Sequence, residues 1–222
     1  MAGTAFVGAV PVTRRGAWAG AAVCRAGARN AAVARRAAAL KMAISEGERI
    51  PFQGSFMVLG QDDMSVEKLF KDRKVAVVAI PGAFTGTCFK QHVPAFVANA
   101  DKLKAQGVDE VVCIAVNDPF VMSEFGKALG AEGKVTMLAD GDASFAKRVG
   151  LTKDTGAFGG LRSARYSMLV SNGVVVKLNV DAGGLDKSQA EILLEQLGES
   201  MDPLEKYCRD APEADECRVY ED

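Results

Sequence analysis

The stretch KVAVVAIPG, residues 74 to 82, constrains the fold more than any other part of the chain. Its run of Val, Ala and Ile from 75 to 80 has no polar position, so it lacks the alternation of a strand wetted on one face. It reads as a central strand covered on both faces, ended by Pro81 and Gly82. Such a strand needs helices above and below it. From Ser45 onward β-rich runs alternate with helix-like segments, which predicts an α/β sheet packed between helices.

SFMVLG at 55 to 60 reads as a short strand, and SVEKLF as a helix capped by Ser65. After the loop AFTGT the pattern turns helical at Cys88, with Phe89, Val93, Phe96, Val97 and Leu103 as its apolar stripe. This helix runs to near Gly107, and Pro94 is expected to kink it. Residues 108 to 117 form the next strand, and 118 to 130 a helix capped by Asp118 with Pro119 in its first turn. A strand at 134 to 140, a short helix at 142 to 150 and a glycine-rich loop at 156 to 160 follow. Residues 165 to 180 read as a hairpin turning at Asn172 and Gly173, and 188 to 200 as an amphipathic helix. A mixed sheet flanked by helices and closed by a hairpin and a last helix is the thioredoxin-like arrangement. Alternation alone also allows a flavodoxin-like sheet.

Charge divides the chain. Residues 1 to 45 contain no Asp or Glu but carry Arg14, Arg15, Arg25, Arg29, Arg35, Arg36 and Lys41 among many alanines. A basic, acid-free leader of this kind suits organelle import, and residues 1–42 are read as a transit peptide. A basic tail for anionic surfaces is the alternative. Without those seven of 27 basic residues the remainder stands at 20 − 28, or −8. That acidic body is a poor partner for nucleic acid, and no apolar run is long enough to span a membrane. Residues 43–200 are read as one domain and 201–222 as an acidic tail, with eight acidic and three basic residues, two prolines, Cys208 and Cys217.

Five cysteines in a chain of this length do not make a secreted disulfide framework, and one His with no CxxC does not suit zinc. The chemistry concentrates in PGAFTGTCFKQH, residues 81 to 92. Here a cysteine opens a helix straight after a buried strand and a tight loop, where unpaired backbone N–H groups and the helix dipole favour an anion. A thiolate is that anion. Thr85 can turn its hydroxyl to the same pocket, Pro81 removes a competing donor and shields the site, and an arginine from elsewhere would add charge. Arg165 at the start of the hairpin is the candidate, with Arg162 as competitor. His92, one helical turn after Cys88, is better read as a hydrogen-bonding support than as a base. GAFGG lacks phosphate-binding spacing and reads as a turn.

Pro81, Thr85 and Cys88 match the PxxxTxxC motif of peroxiredoxins, and PGAFT followed by TC and HVPAF resembles the type II branch. VNDPFVM at 116 to 122, ADGDASFAK at 139 to 147 and ARYSMLV at 164 to 170 resemble further segments of that branch in the same order. The resemblance implies that Cys88 is the peroxidatic cysteine, that Thr85 and Arg165 position and polarise the peroxide, and that Pro81 shields the thiolate. It implies a sulfenic acid intermediate, regeneration by glutaredoxin and glutathione or by thioredoxin, and no metal, haem or flavin. Cys113, 25 residues after Cys88, matches the second cysteine of plant atypical two-cysteine members and is the candidate resolving thiol. Its alternative is a small buried hydrophobe. Gly86, Phe89 and Ala95 stand where the branch usually has Pro, Ser and Gly, which bears on loop shape and substrate preference. Two rival readings are a thiol-disulfide oxidoreductase, disfavoured by the lack of CxxC, and a redox-responsive binding protein on the same fold. Monomer and homodimer both stay open. The plant-like resemblance and the Ala/Arg-rich leader favour the plastid over the mitochondrion.

Overall fold

The computed structural model describes residues 43–199. The expected leader and the acidic tail, with Cys24, Cys208 and Cys217, lie outside the described residues. Along the chain come β1 (Ser55–Phe56), β2 (Met64–Ser65), α1 (Val66–Phe70) and β3 (Lys74–Ile80). A π-helical turn (Cys88–His92) leads into α2 (Val93–Ala105), followed by β4 (Glu110–Ala115), α3 (Pro119–Ala128), β5 (Thr136–Ala139) and α4 (Ser144–Val149). The last elements are β6 (Thr152–Asp154), a 3-10 turn (Gly156–Phe158), β7 (Leu161–Ser163), β8 (Arg165–Ser171), β9 (Val174–Asp181) and α5 (Ala190–Glu199).

The central sheet has the order β5-β4-β3-β8-β9, with β3, β4 and β5 parallel, β8 antiparallel to β3 and β9 antiparallel to β8. The apolar run at 75 to 80 is indeed the middle strand, buried throughout. Its side chains alternate between two cores. Ala76, Val78 and Ile80 join Cys113 of β4 and Leu169 of β8 under α2, α3 and α5. Val75, Val77 and Ala79 join Ile114 and Met168 against α1 and α4. Cys88 belongs to the first of these cores.

Local signals account for most boundaries. Ser65 Oγ accepts the N–H of Lys68 at 3.1 Å, and Asp118 Oδ1 accepts that of Val121 at 2.9 Å. Asn172 and Gly173 both take positive φ, 46° and 74°, the pair that a two-residue hairpin turn of matching twist requires. The expected kink at Pro94 takes another form. Pro94 has no N–H for the carbonyl one turn back, and the helix widens just before it, with the N–H of Val93 reaching Cys88 O across five residues. The strand expected at 55 to 60 keeps only two ladder residues plus a bridge from Met57 to Ala139. The small β6–β7 hairpin around the glycine-rich loop is an addition that its half-exposed, mixed sequence does not announce.

Candidate active site

The loop after β3 lies at the C-terminal ends of the parallel strands. Its backbone is tied to the end of β4 by Ala83 N–H, which donates to Asn117 Oδ1 at 3.1 Å. Phe84 sits in the left-handed region at φ 59°, a costly place for a non-glycine residue. The rings of Phe89 and Phe125, with centroids 5.6 and 5.2 Å away, hold it there. Phe89, the departure from the usual serine, is therefore part of the clamp on this loop. Thr85 Oγ1 donates to Gly82 O at 2.8 Å, which closes the loop and leaves the oxygen's lone pairs able to accept.

Helical structure begins at Gly86, so Cys88 lies in the first turn, where backbone N–H groups lack intrahelical acceptors. The residue is 1 % exposed. At that exposure, attack by another protein thiol requires the turn to open.

Arg165 follows from the sheet register. β8 pairs Tyr166 with Ala79, so Arg165 comes opposite the end of β3, where Pro81 begins the loop. It has the strand parity of Leu169, which places it on the face that carries Cys88. Arg165 Nη1 contacts His92 Nδ1 at 3.2 Å. A guanidinium can only donate, so Nδ1 must be the bare nitrogen and the proton sits on Nε2. That proton faces Ser188 O at 2.9 Å and Ser188 Oγ at 3.1 Å. Ser188 Oγ in turn donates to Asp181 Oδ2 at 2.5 Å, and Asp181 also accepts the N–H of Lys187 at 2.7 Å. The chain Arg165–His92–Ser188–Asp181 thus joins β8, the π-helical turn, the last loop and the end of β9. His92 is fully buried, and its pKa falls to about 4. Burial is the main cause, opposed by the Ser188 carbonyl and reinforced by Arg165. A neutral ring that orients the arginine is the supporting role, and a base role does not suit a ring whose free nitrogen is already occupied.

Arg162 is used elsewhere. Its Nη1 donates to Val116 O at 2.7 Å and its Nε to Gly159 O at 2.8 Å, which pins the glycine-rich loop to the end of β4. Cys113 is fully buried in β4, in register between Val78 and Met137. Burial, with the neighbouring Cys88 second, pushes its thiol well above the ordinary range. Sequence reading did not reach the Phe84 strain, Asp181 or Ser188, because no local pattern marks a loop residue that will meet a helix 96 positions earlier.

The redoxin family model matches residues 45–194. Peroxiredoxin-2E, chloroplastic, of Arabidopsis thaliana is 38% identical over 162 residues, covering 69% of each chain. This chain is a type II peroxiredoxin. The same plant's Peroxiredoxin-2F, mitochondrial, is 41% identical over 132 residues, 58% of this chain and 66% of that one. A crystal structure of reduced Prx3 in complex with H2O2 from Vibrio vulnificus superposes with a TM-score of 0.67 at 46% identity, covering 69% of this chain and 99% of the other. The peroxiredoxin has a thioredoxin-like fold, as expected, and is a thiol peroxidase that reduces peroxides with electrons from thiols. Its relatives include both chloroplastic and mitochondrial proteins. A second family model, the CP12 domain, matches residues 185–221 and overlaps the end of the redoxin match.

Proposed function

We propose that Cys88 is the peroxidatic cysteine, with Pro81, Thr85 and Arg165 arranged around the peroxide. The observation that carries this reading is the arginine fixed by a neutral His92 on the core face that holds Cys88. The Cys88 thiolate attacks the near oxygen of ROOH, the O–O bond breaks, and the leaving RO⁻ takes a proton as Cys88 becomes a sulfenic acid. Thr85 accepts a hydrogen bond from the peroxide, Arg165 meets charge on the leaving oxygen, and Pro81 covers the sulfur. Return to the thiol proceeds through a disulfide, with Cys113 or with an external thiol. Cys113 requires unwinding of the first turn, and the π-helical turn is the weak point at which that begins.

Hydrogen peroxide and organic hydroperoxides are the proposed substrates, the first supported by the H2O2 in the Vibrio relative's structure. Glutaredoxin with glutathione, or thioredoxin, is the proposed reductant. Residues 1–42 are the proposed transit peptide, directing the chain to the plastid, with 43–200 as the working domain and 201–222 as its tail. A peroxidase assay of residues 43–222, with each peroxide and each reductant in turn, tests the chemistry. Cys88→Ser is expected to abolish turnover, and retention of most of the rate would remove the central assignment. Cys113→Ser is expected to keep the first oxidation and change which reductant works; wild-type behaviour with every reductant would dismiss the internal disulfide. A fluorescent reporter carrying residues 1–42 is expected in plastids rather than mitochondria.

A further inference from the structure

The β8–β9 register sets Asp181 directly opposite Arg165, and residues opposed in this way point to the same face of a sheet. An arginine and an aspartate so placed ordinarily attract each other. Among the described residues, however, no ion pair joins them. Asp181 is buried and is occupied instead by the loop that follows β9. Its Oδ1 accepts the N–H of Lys187 at 2.7 Å and that of Asp186 at 3.4 Å, and its Oδ2 accepts the hydroxyl of Ser188 at 2.5 Å and its N–H at 3.3 Å. Arg165 turns to His92 Nδ1 at 3.2 Å.

We propose that Ser188 and Asp181 are positioning residues of the peroxidase, with Ser188 holding the Asp181 carboxylate away from Arg165 so that a neutral ring orients the guanidinium in its place. The inference rests on the assignment of Cys88 and Arg165 above. A serine hydroxyl has one proton to donate. Ser188 gives it to Asp181, so the two groups it turns to His92 Nε2, its carbonyl at 2.9 Å and its Oγ at 3.1 Å, offer only lone pairs. That fixes the proton on Nε2 and keeps Nδ1 bare for Arg165.

The choice of partner matters because a carboxylate and an imidazole do different things to a guanidinium. A paired carboxylate would offset the charge that favours the Cys88 thiolate and meets the leaving oxygen, and it would draw the side chain toward the end of β9. A neutral nitrogen acceptor aims the guanidinium and leaves its charge intact. Ser188 and His92 are fully buried, so loss of the serine hydroxyl leaves Asp181 Oδ2 short of a donor, and Arg165 across the ladder is placed to supply one.

Stopped-flow oxidation of the full, untagged chain by hydrogen peroxide tests this through the sign of a coupling. Ser188→Ala is expected to slow the reaction by about tenfold. Adding Asp181→Asn to it is expected to restore the rate to within about threefold of the wild type, because the freed carboxylate does the harm. In an Arg165→Ala chain, Ser188→Ala should change the residual rate by less than about twofold. Wild-type speed in Ser188→Ala, or a double variant no faster than Ser188→Ala, would overturn the proposal. So would an equal loss in Glu191→Gln, whose carboxylate borders the same cavity as His92 and would trace the effect to net charge alone. The chain has one histidine, so the ring nitrogen NMR signals of the wild type at neutral pH belong to His92 and need no folded variant. Nε2 protonated and Nδ1 bare is the expected pattern, and the reverse pattern would sink the proposal. Peroxide reduction that survives in Cys88→Ser would remove the Cys88 reading instead, while the histidine signals do not depend on which cysteine reacts.

Discussion

Protonating His92 would place a second positive charge against Arg165 inside a buried site, so acid disfavours this hydrogen-bond chain. The folded pKa of about 4 lies below the unfolded value of 6.5, so the unfolded chain binds the proton more tightly in that window. The His92 contribution to stability is complete above pH 6.5 and is lost as the pH falls toward 4, by about 3 kcal/mol in all. Unfolding free energies from urea titrations at pH 7 and pH 4.5 should therefore fall further apart in the wild type than in His92→Asn, by about 2 kcal/mol. Equal acid sensitivity would place the effect on other groups. Arg165→Ala is expected to slow peroxide reduction by on the order of a hundredfold, read by stopped-flow, because it removes the group aimed at developing negative charge. Arg162→Ala should leave that rate within a few fold and loosen the glycine-rich loop instead. A collapse in Arg162→Ala with wild-type rates in Arg165→Ala would exchange the two roles.

The β8–β9 hairpin and the β6–β7 hairpin differ in how openly they are written. Asn172 and Gly173 are short, permissive residues between two apolar runs, and the turn they predict is the one observed. Gly173 is also boxed in: a Cβ there would come within 2.3 Å of Phe52 Cζ, at a φ of 74° that side chains resist. Gly173→Ala should cost about 1–3 kcal/mol of stability, measured by chemical denaturation, and an unchanged midpoint would show that Phe52 swings aside. TKD and LRS have neither apolar alternation nor a tight-turn pair. They become strands because the loop between them is tied back, Thr155 Oγ1 donating to Gly160 O at 2.8 Å and Arg162 reaching across to Val116. The π-helical turn was half legible: Pro94 announces a disturbed helix, while the choice of a widened turn over a kink depends on how Cys88 and His92 seat in the core.

Both faces of the central sheet are covered within residues 43–199, so the expressed segment 43–199 should unfold in a single cooperative transition when followed by circular dichroism and tyrosine absorbance. Two separated transitions would mean that leader or tail completes one of the cores. The order of strands and helices, the buried middle strand, the capped helices and the cysteine motif could all be read from residues near one another in the chain, because propensity, capping and turn chemistry act over a few positions. The distribution of partners could not. Arg165 could be singled out as a candidate, but its partner His92, and the engagement of Arg162 with Val116, came from the fold, and Cys113 took its closed position from strands on either side. The support of His92 by Ser188 and Asp181 joins residues up to 96 positions apart. Such contacts depend on register and packing between distant segments, which local pattern constrains but does not choose, and so the thiol chemistry was visible in the sequence while its hydrogen-bonded support appeared only in the folded chain.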